Sequence, residues 1–215
     1  MTILQQTTTN NNNNNNMERM IRVREDGTRH AGCDESSGWL WYAARHLLDV
    51  LVADEHDQLV QGLRILELGS GTGWLGLHLA ARGAVVTVTE RKGALPLLIR
   101  NVLSNTERLS DEQKMELNIQ AYELNWSDED TIVPGEYDLV VGSDLVYLPE
   151  YYQDMLHTVL RHQCRRFILA WEERRPLEEQ GFLTLATAMG FIIEQRKGTI
   201  NPTTGNPIWV VALTI

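Results

Sequence analysis

Arg64-Ile65-Leu66-Glu67-Leu68-Gly69-Ser70-Gly71-Thr72-Gly73 passes from an apolar, strand-like stretch into a turn with glycine at every second position, and an apolar helix-like stretch opens directly after it at Trp74. Glycines at 69, 71 and 73 leave the turn without Cβ atoms at the end of a strand that reads as buried, so the main chain can approach a ligand to contact distance. The N–H groups at the start of the following helix suit a carboxylate or a phosphate. Together these features predict an adenosine-type cofactor and leave its identity open.

The same stretch, read as Gly71-Thr72-Gly73-Trp74-Leu75-Gly76, satisfies the dinucleotide pattern G-x-G-x-x-G, and Glu90 follows at about the 20-residue interval expected of a ribose-binding acid. Glu90 ends a second apolar stretch, where its carboxylate can accept hydrogen bonds from the ribose hydroxyls of any adenosine cofactor. Arg91 and Lys92 would suit a 2′-phosphate, but the adjacent Glu90 repels one.

Working outward, apolar residues at helical spacing (Leu40, Ala44, Leu47, Leu48, Leu51) predict a helix over Ser36 to Val52, with Ser36 or Ser37 as its cap. Strand and helix patterns then alternate. Strands are expected at Leu63 to Leu68, Val85 to Glu90, Leu117 to Leu124, Tyr137 to Ser143 and Arg166 to Ala170, and helices at Gly73 to Arg82, Gly93 to Asn105, Glu150 to His162 and Leu177 to Met189. This order predicts an α/β, Rossmann-like, doubly wound sheet whose central strands are covered on both faces. Two further strands, Phe191 to Gln195 and Ile208 to Leu213, are joined by about a dozen Gly-, Asn- and Pro-rich residues, too few for a crossover helix with its loops. They should form an antiparallel hairpin, giving a seven-stranded, mostly parallel sheet with one reversed strand at its end.

The chain has 215 residues and 43% hydrophobic content, enough for one full core. We expect residues 36–215 to form that domain and residues 1–35, which include the asparagine tract Asn10 to Asn16, to be disordered or extended. Met17 is a possible alternative start. A net charge of −10 argues against a nucleic-acid partner and for a basic protein surface. The two cysteines, Cys33 and Cys164, have neither disulfide-scaffold nor metal spacing, and the scattered histidines suggest no metal site. No leader-like or membrane-spanning stretch is expected. These features together predict a monomeric protein of the cytosol or nucleus.

The motifs resemble the class I, seven-strand S-adenosylmethionine-dependent methyltransferases. Glu67 to Gly73 is similar to their first motif and Glu90 to their ribose-binding acid. Ser143-Asp144-Leu145-Val146-Tyr147 resembles the Asp-x-x-Tyr motif of the protein-lysine methyltransferase branch. Trp41-Tyr42-Ala43-Ala44 resembles that branch's Trp-x-Ala-Ala, Leu124-Asn125-Trp126 its Leu-x-Trp, and Ala94 to Asn101 the helix after the acid. The resemblance implies S-adenosylmethionine as cofactor. It implies that Gly69, Ser70, Gly71, Thr72 and Gly73 cradle the methionine moiety, with Glu67 holding its ammonium directly or through the loop. Glu90 would grip the ribose, Trp126 would pack near the adenine, and Trp41 and Ser143 would border the cofactor. Asn125 and Ser127 depart from the commoner Asp and Gly of that motif, which bears on the adenine contacts.

A lysine acceptor must lose its proton before it can attack, and at pH 7 only about one amine in a few thousand is neutral. Asp144, at the end of a buried strand, is the candidate to orient the amine, with the Tyr147 ring and hydroxyl beside it. Each residue also has a plainer reading. Asp144 could cap a turn, Tyr147 and Trp41 could be packing aromatics, and Trp39 and Trp171 could be packing or rim residues. Glu172 and Glu173 could recruit a basic residue, although with Arg174 and Arg175 they read first as a solvated charge cluster. The leading function is transfer of a methyl group to a lysine of another protein, such as an elongation factor, chaperone or ATPase. Alternatives are a small-molecule methyltransferase, an NAD-binding oxidoreductase, which the missing Tyr-x-x-x-Lys pair disfavours, and a non-catalytic cofactor-binding protein.

Overall fold

The computed structural model describes residues 21–25, 38–53, 60–110 and 117–215. The asparagine tract, Met17, Cys33 and the Ser36 or Ser37 cap lie outside these residues. Helix α1 (Tyr42–Val52) precedes strand β1 (Arg64–Leu68), helix α2 (Trp74–Ala80), strand β2 (Val85–Glu90), helix α3 (Leu95–Thr106) and strand β3 (Ile119–Glu123). Strand β4 (Leu139–Ser143), helix α4 (Tyr152–Arg161), strand β5 (Arg166–Glu172), helix α5 (Pro176–Ala188) and strands β6 (Ile192–Ile200) and β7 (Pro207–Thr214) complete the chain.

The sheet order is β3-β2-β1-β4-β5-β7-β6. Strands β1 to β5 pair in parallel, and β7 runs antiparallel to both β5 and β6. The reversed strand therefore lies second from the edge, not at the sheet's end. Strand order turns back between β1 and β4, which opens a crevice at their carboxyl ends, the usual ligand position in such sheets.

Side-chain alternation divides the core in two. Ile65, Val88, Val141 and Ile168 pack under α1 to α3, whereas Leu66, Val140, Phe167 and Leu169 pack under α4 and α5 with Met155 and Phe182. Helix α1 buries Ala43, Ala44, Leu47, Leu48 and Leu51, the predicted stripe. It begins at Tyr42, later than the spacing suggested, and Trp41 is its extended N-cap residue.

Several strand ends differ from the sequence reading. Strand β5 continues through Trp171 and Glu172, and β6 and β7 lengthen until only residues 201–206 separate them. The register of β6 shifts between Arg196 and Thr199, a bulge that interrupts the alternating pattern. A Cβ on Gly198 would meet the Ile208 carbonyl oxygen at 2.3 Å, so the bulge requires glycine there.

Residues 21–25 run extended along α3 and are clamped by two of its asparagines. Asn105 accepts from the Arg22 N–H (2.8 Å) and donates to the Arg22 carbonyl (2.7 Å), and Asn101 makes the same pair with Arg24 at 2.9 and 3.0 Å. Each side-chain amide thus replaces a missing strand partner. Among the described residues no helix is long and apolar enough to cross a membrane.

Candidate active site

The turn after β1 is held open by backbone geometry. Gly69, Gly71 and Gly73 have φ of 56°, 54° and 77°, a region costly for residues with a Cβ. A Cβ at Gly69 would stand 2.7 Å from Leu145 and 3.5 Å from Trp126, and one at Gly73 would stand 2.6 Å from Leu98. Ser70 fastens the turn to β2: its N–H donates to the Thr89 carbonyl (2.8 Å), and its Oγ accepts from the Thr89 N–H (3.0 Å). Thr72 is anchored through its carbonyl, which accepts from Asn101 Nδ2 at 2.9 Å, so the clamp on residues 21–25 also fixes this turn.

Glu90 closes the loop from the β2 side. Its Oε2 accepts from the Gly71 N–H (3.0 Å) and its Oε1 from the Arg91 N–H (2.9 Å). The carboxylate also lines the cleft, where an ionised acceptor suits a ribose hydroxyl. Glu67 shares the face of Ile65 and lies beneath α2, with 1% exposure. A Cβ on Gly76 would be 2.6 Å from Glu67 Oε2 and 2.2 Å from Val88, so the helix passes over this acid only because residue 76 is glycine.

Burial pushes the Glu67 carboxyl up to about 8, against lowering contributions from Ser70 and the Gly76 N–H. The acid is therefore protonated in the folded protein where the unfolded chain has already lost that proton. Its contribution to stability is complete below its ordinary value of 4.5 and disappears as pH rises toward 8. Relative to Glu67→Gln, wild-type stability should fall by about 1.4 kcal/mol per pH unit across that window, measured by urea unfolding at a series of pH values. Parallel pH dependences in the two proteins would contradict this.

Asp144 follows β4 with φ of 54°, an uncommon conformation that turns the chain out of the sheet while its N–H still donates to the Ala170 carbonyl (2.7 Å). The residue is 6% exposed. Oδ1 accepts from the Glu172 N–H and from Arg174 Nη1, both at 3.0 Å, while Oδ2 is buried without a hydrogen-bond partner among the described residues. Burial raises its pKa, and the Arg174 charge opposes that rise.

Arg174 also donates from Nη2 to Glu172 Oε2 (3.0 Å) and lies 4.8 Å over the Trp41 ring. Such a cation over an indole face is favourable. Glu172, expected in a solvated cluster, is instead 4% exposed and also accepts from Asn201, Thr204 and Asn206 of the β6–β7 turn. Burial alone would raise its pKa, but the Thr204, Asn201 and Asn206 bonds and the Arg174 charge outweigh it and hold the pKa down. Trp171 is buried, and its Nε1 donates to Glu179 Oε2 (3.0 Å), which selects packing from the two plain readings of this residue.

These groups border one cleft of about 780 Å³. Trp41, Glu67, Gly69, Ser70, Gly71, Thr72, Glu90, Trp126, Ser143, Asp144 and Tyr147 all line it, and Gly73, although part of the same turn, does not. The size falls within the usual range for a nucleoside-sized ligand. The donors and acceptors suit such a ligand too, since side-chain-free main chain lies beside two acids on adjacent strands. Sequence reasoning left Arg174 and the β6–β7 turn out of the site, and Asn101 and Asn105 unassigned. Two asparagines four residues apart on one face of a helix were the available signal, because asparagine has low helix propensity and is rarely buried unpaired.

A family model described as lysine methyltransferase matches residues 15–188. The chain belongs to that family. It is 38% identical over 121 residues to protein N-lysine methyltransferase METTL21A of Danio rerio, covering 56% of this chain and 52% of the relative. It is 34% identical over 125 residues to EEF1A lysine methyltransferase 3 of Mus musculus, covering 58% and 50%. The chain thus spans about half the length of these curated relatives. Among solved structures, magnesium protoporphyrin IX methyltransferase from Synechocystis PCC 6803 with bound SAM superposes with a TM-score of 0.60, at 18% identity and over 100% of both chains. At that identity the likeness establishes the fold, a Rossmann-like methyltransferase sheet. In this lysine methyltransferase family member the cleft lies at the strand ends that the fold leaves open.

Proposed function

We propose that this chain is a protein-lysine N-methyltransferase that uses S-adenosylmethionine. One observation carries the reading: a glycine turn bordered by Glu67 and Glu90 shares a cleft with a buried Asp144 that has one oxygen unpartnered. When bound, S-adenosylmethionine supplies a methyl electrophile, so that the amine lone pair forms N–CH₃ as S–CH₃ breaks and the neutral thioether leaves; no protein nucleophile is required. The protein's tasks are to position, to orient and to exclude water.

Gly69, Gly71 and Thr72 present main chain to the methionine end, Glu90 accepts the ribose hydroxyls, and Trp126 offers an apolar wall beside Gly69. Asp144 Oδ2 accepts a hydrogen bond from the incoming amine and aims its lone pair along the cleft. Tyr147 flanks the same position. The proton of the arriving ammonium passes to water before attack, since a protonated amine has no lone pair to donate.

The acceptor we favour is a lysine on a basic, folded protein. The net charge of −10 and the protein-directed names of the relatives support this. An elongation factor, a chaperone or an ATPase fits that description, and we place the enzyme in the cytosol or nucleus, acting as a monomer. The test is incubation of the pure protein and tritiated S-adenosylmethionine with a cell extract, followed by mass spectrometry of labelled bands. We expect label on a lysine of one or a few proteins. Label confined to small molecules would replace the reading with a small-molecule methyltransferase.

A further inference from the structure

The chemistry proposed above makes no use of Arg174, yet its guanidinium, although partly exposed, is held by two acids and an indole ring. Nη1 is 3.0 Å from Asp144 Oδ1, Nη2 is 3.0 Å from Glu172 Oε2, and Cζ lies 4.8 Å over the Trp41 ring. The Arg174 N–H donates to Glu179 Oε1 (2.8 Å), and Glu179 is itself buried. Glu172 is locked by three donors of the β6–β7 turn. A side chain held in this way is a fixed charge and not a swinging one.

On the proposed reading that charge neighbours the acceptor amine, because Arg174 holds Oδ1 of the acid whose Oδ2 receives it. A lone buried carboxylate next to a lysine stabilises the ammonium, raises its pKa and holds it in the form that cannot react. A guanidinium on the other oxygen of the same carboxylate removes most of that stabilisation while leaving the hydrogen-bond acceptor in place.

We propose that Arg174 is a positioning residue that balances the charge of Asp144, so that the acceptor amine is oriented by Oδ2 without being trapped as an ammonium. Asp144, Glu172 and Arg174 carry a net charge of about −1 together, enough to draw a lysine in and too little to hold its proton. The other titratable or charged groups facing this end are Tyr147 and Tyr151 after β4 and Arg175 and Glu179 at the start of α5. Glu67, Glu90, Arg91, Lys92 and Glu123 line the cleft on the β1 to β3 side.

The inference rests on the methyltransferase reading, and its test separates the two. The acceptor is the extract protein that the wild-type enzyme labels, and the readout is the initial rate of tritium transfer against pH at saturating cofactor. Arg174→Gln should move the acid limb up by about one pH unit, giving a roughly tenfold loss at pH 7 that disappears at high pH. Arg174→Lys should restore the wild-type limb. Glu172→Gln, which removes a negative charge from the same cluster, should move the limb down, so a shift of opposite sign carries the test if the arginine variant fails to fold. Calorimetry with S-adenosylhomocysteine reports whether each variant keeps its cofactor site. A loss of rate at every pH with the limb unmoved, or shifts of the same sign in both variants, overturns the proposal and leaves the enzyme reading standing. No labelling by the wild-type protein overturns both.

Discussion

Replacing Asp144 with alanine is expected to lower methyl transfer by about 10²- to 10³-fold while leaving the affinity for S-adenosylhomocysteine within about tenfold. The size follows from what the carboxylate does at once. Oδ2 orients the acceptor, and Oδ1 holds the Glu172 N–H and the Arg174 guanidinium. Without it, the amine loses its guide and the arginine keeps Glu172 as its counter-charge, so the acceptor end loses both its orienting oxygen and the net negative charge that draws a lysine in. Alanine also sits poorly at φ of 54°, at a cost of about 1 to 2 kcal/mol. Asp144→Asn separates these effects, because asparagine tolerates that conformation and keeps an acceptor oxygen. The asparagine variant should fold with wild-type stability and still lose most activity. Wild-type turnover in both variants would remove Asp144 from the mechanism.

The cofactor half of the site was legible because its signal is local. Glu67 to Gly73 and Glu90 lie within a single strand–helix–strand unit, and the glycine spacing states a backbone requirement that the three positive φ values then meet. The acceptor half was legible only at Asp144 and Tyr147. Glu172-Glu173-Arg174-Arg175 looks like a charge run for solvent, and nothing nearby in the chain distinguishes it from one. The burial of Glu172 depends on Asn201, Thr204 and Asn206, about thirty residues later, which fold back onto it once β7 has inserted between β5 and β6. That insertion was half visible. The hairpin followed from a short connector, but the bulge at Gly198 hid the length of β6, and the connector appeared twice as long as it is. Trp41 shows the same limit, since one missed helix boundary turns a helical packing residue into an N-cap residue whose ring meets Arg174.

The two ends of the cleft also differ in how their acids are satisfied, and the difference bears on function. Glu90 accepts from the Gly71 and Arg91 N–H groups, whereas Asp144 is paired to a cation. A carboxylate held by main-chain donors suits neutral hydroxyls, which gain from an ionised acceptor. An acid already balanced by a guanidinium suits an amine that must be released from its proton.

Glu90→Ala should therefore give the phenotype opposite to that of Asp144→Ala. Hydrogen bonds to a charged acceptor contribute about 1.5 to 3 kcal/mol each, so losing the ribose contacts should weaken S-adenosylhomocysteine binding by about 100-fold or more. The turn suffers as well, because the Gly71 and Arg91 N–H groups lose their acceptor. Glutamine is no substitute: its NH₂ would face one of those two N–H donors, so Glu90→Gln should lie close to Glu90→Ala and not midway to wild type. Cofactor in excess should recover most of the wild-type rate, since the acceptor end is untouched, and the thermal stabilisation that S-adenosylhomocysteine gives the wild-type protein should shrink in step with its affinity. Isothermal calorimetry and a cofactor-concentration series measure both effects. Unchanged affinity in Glu90→Ala would mean that the acid only braces the turn, and the ribose would then have to be held by another group on the β2 to β3 side of the cleft.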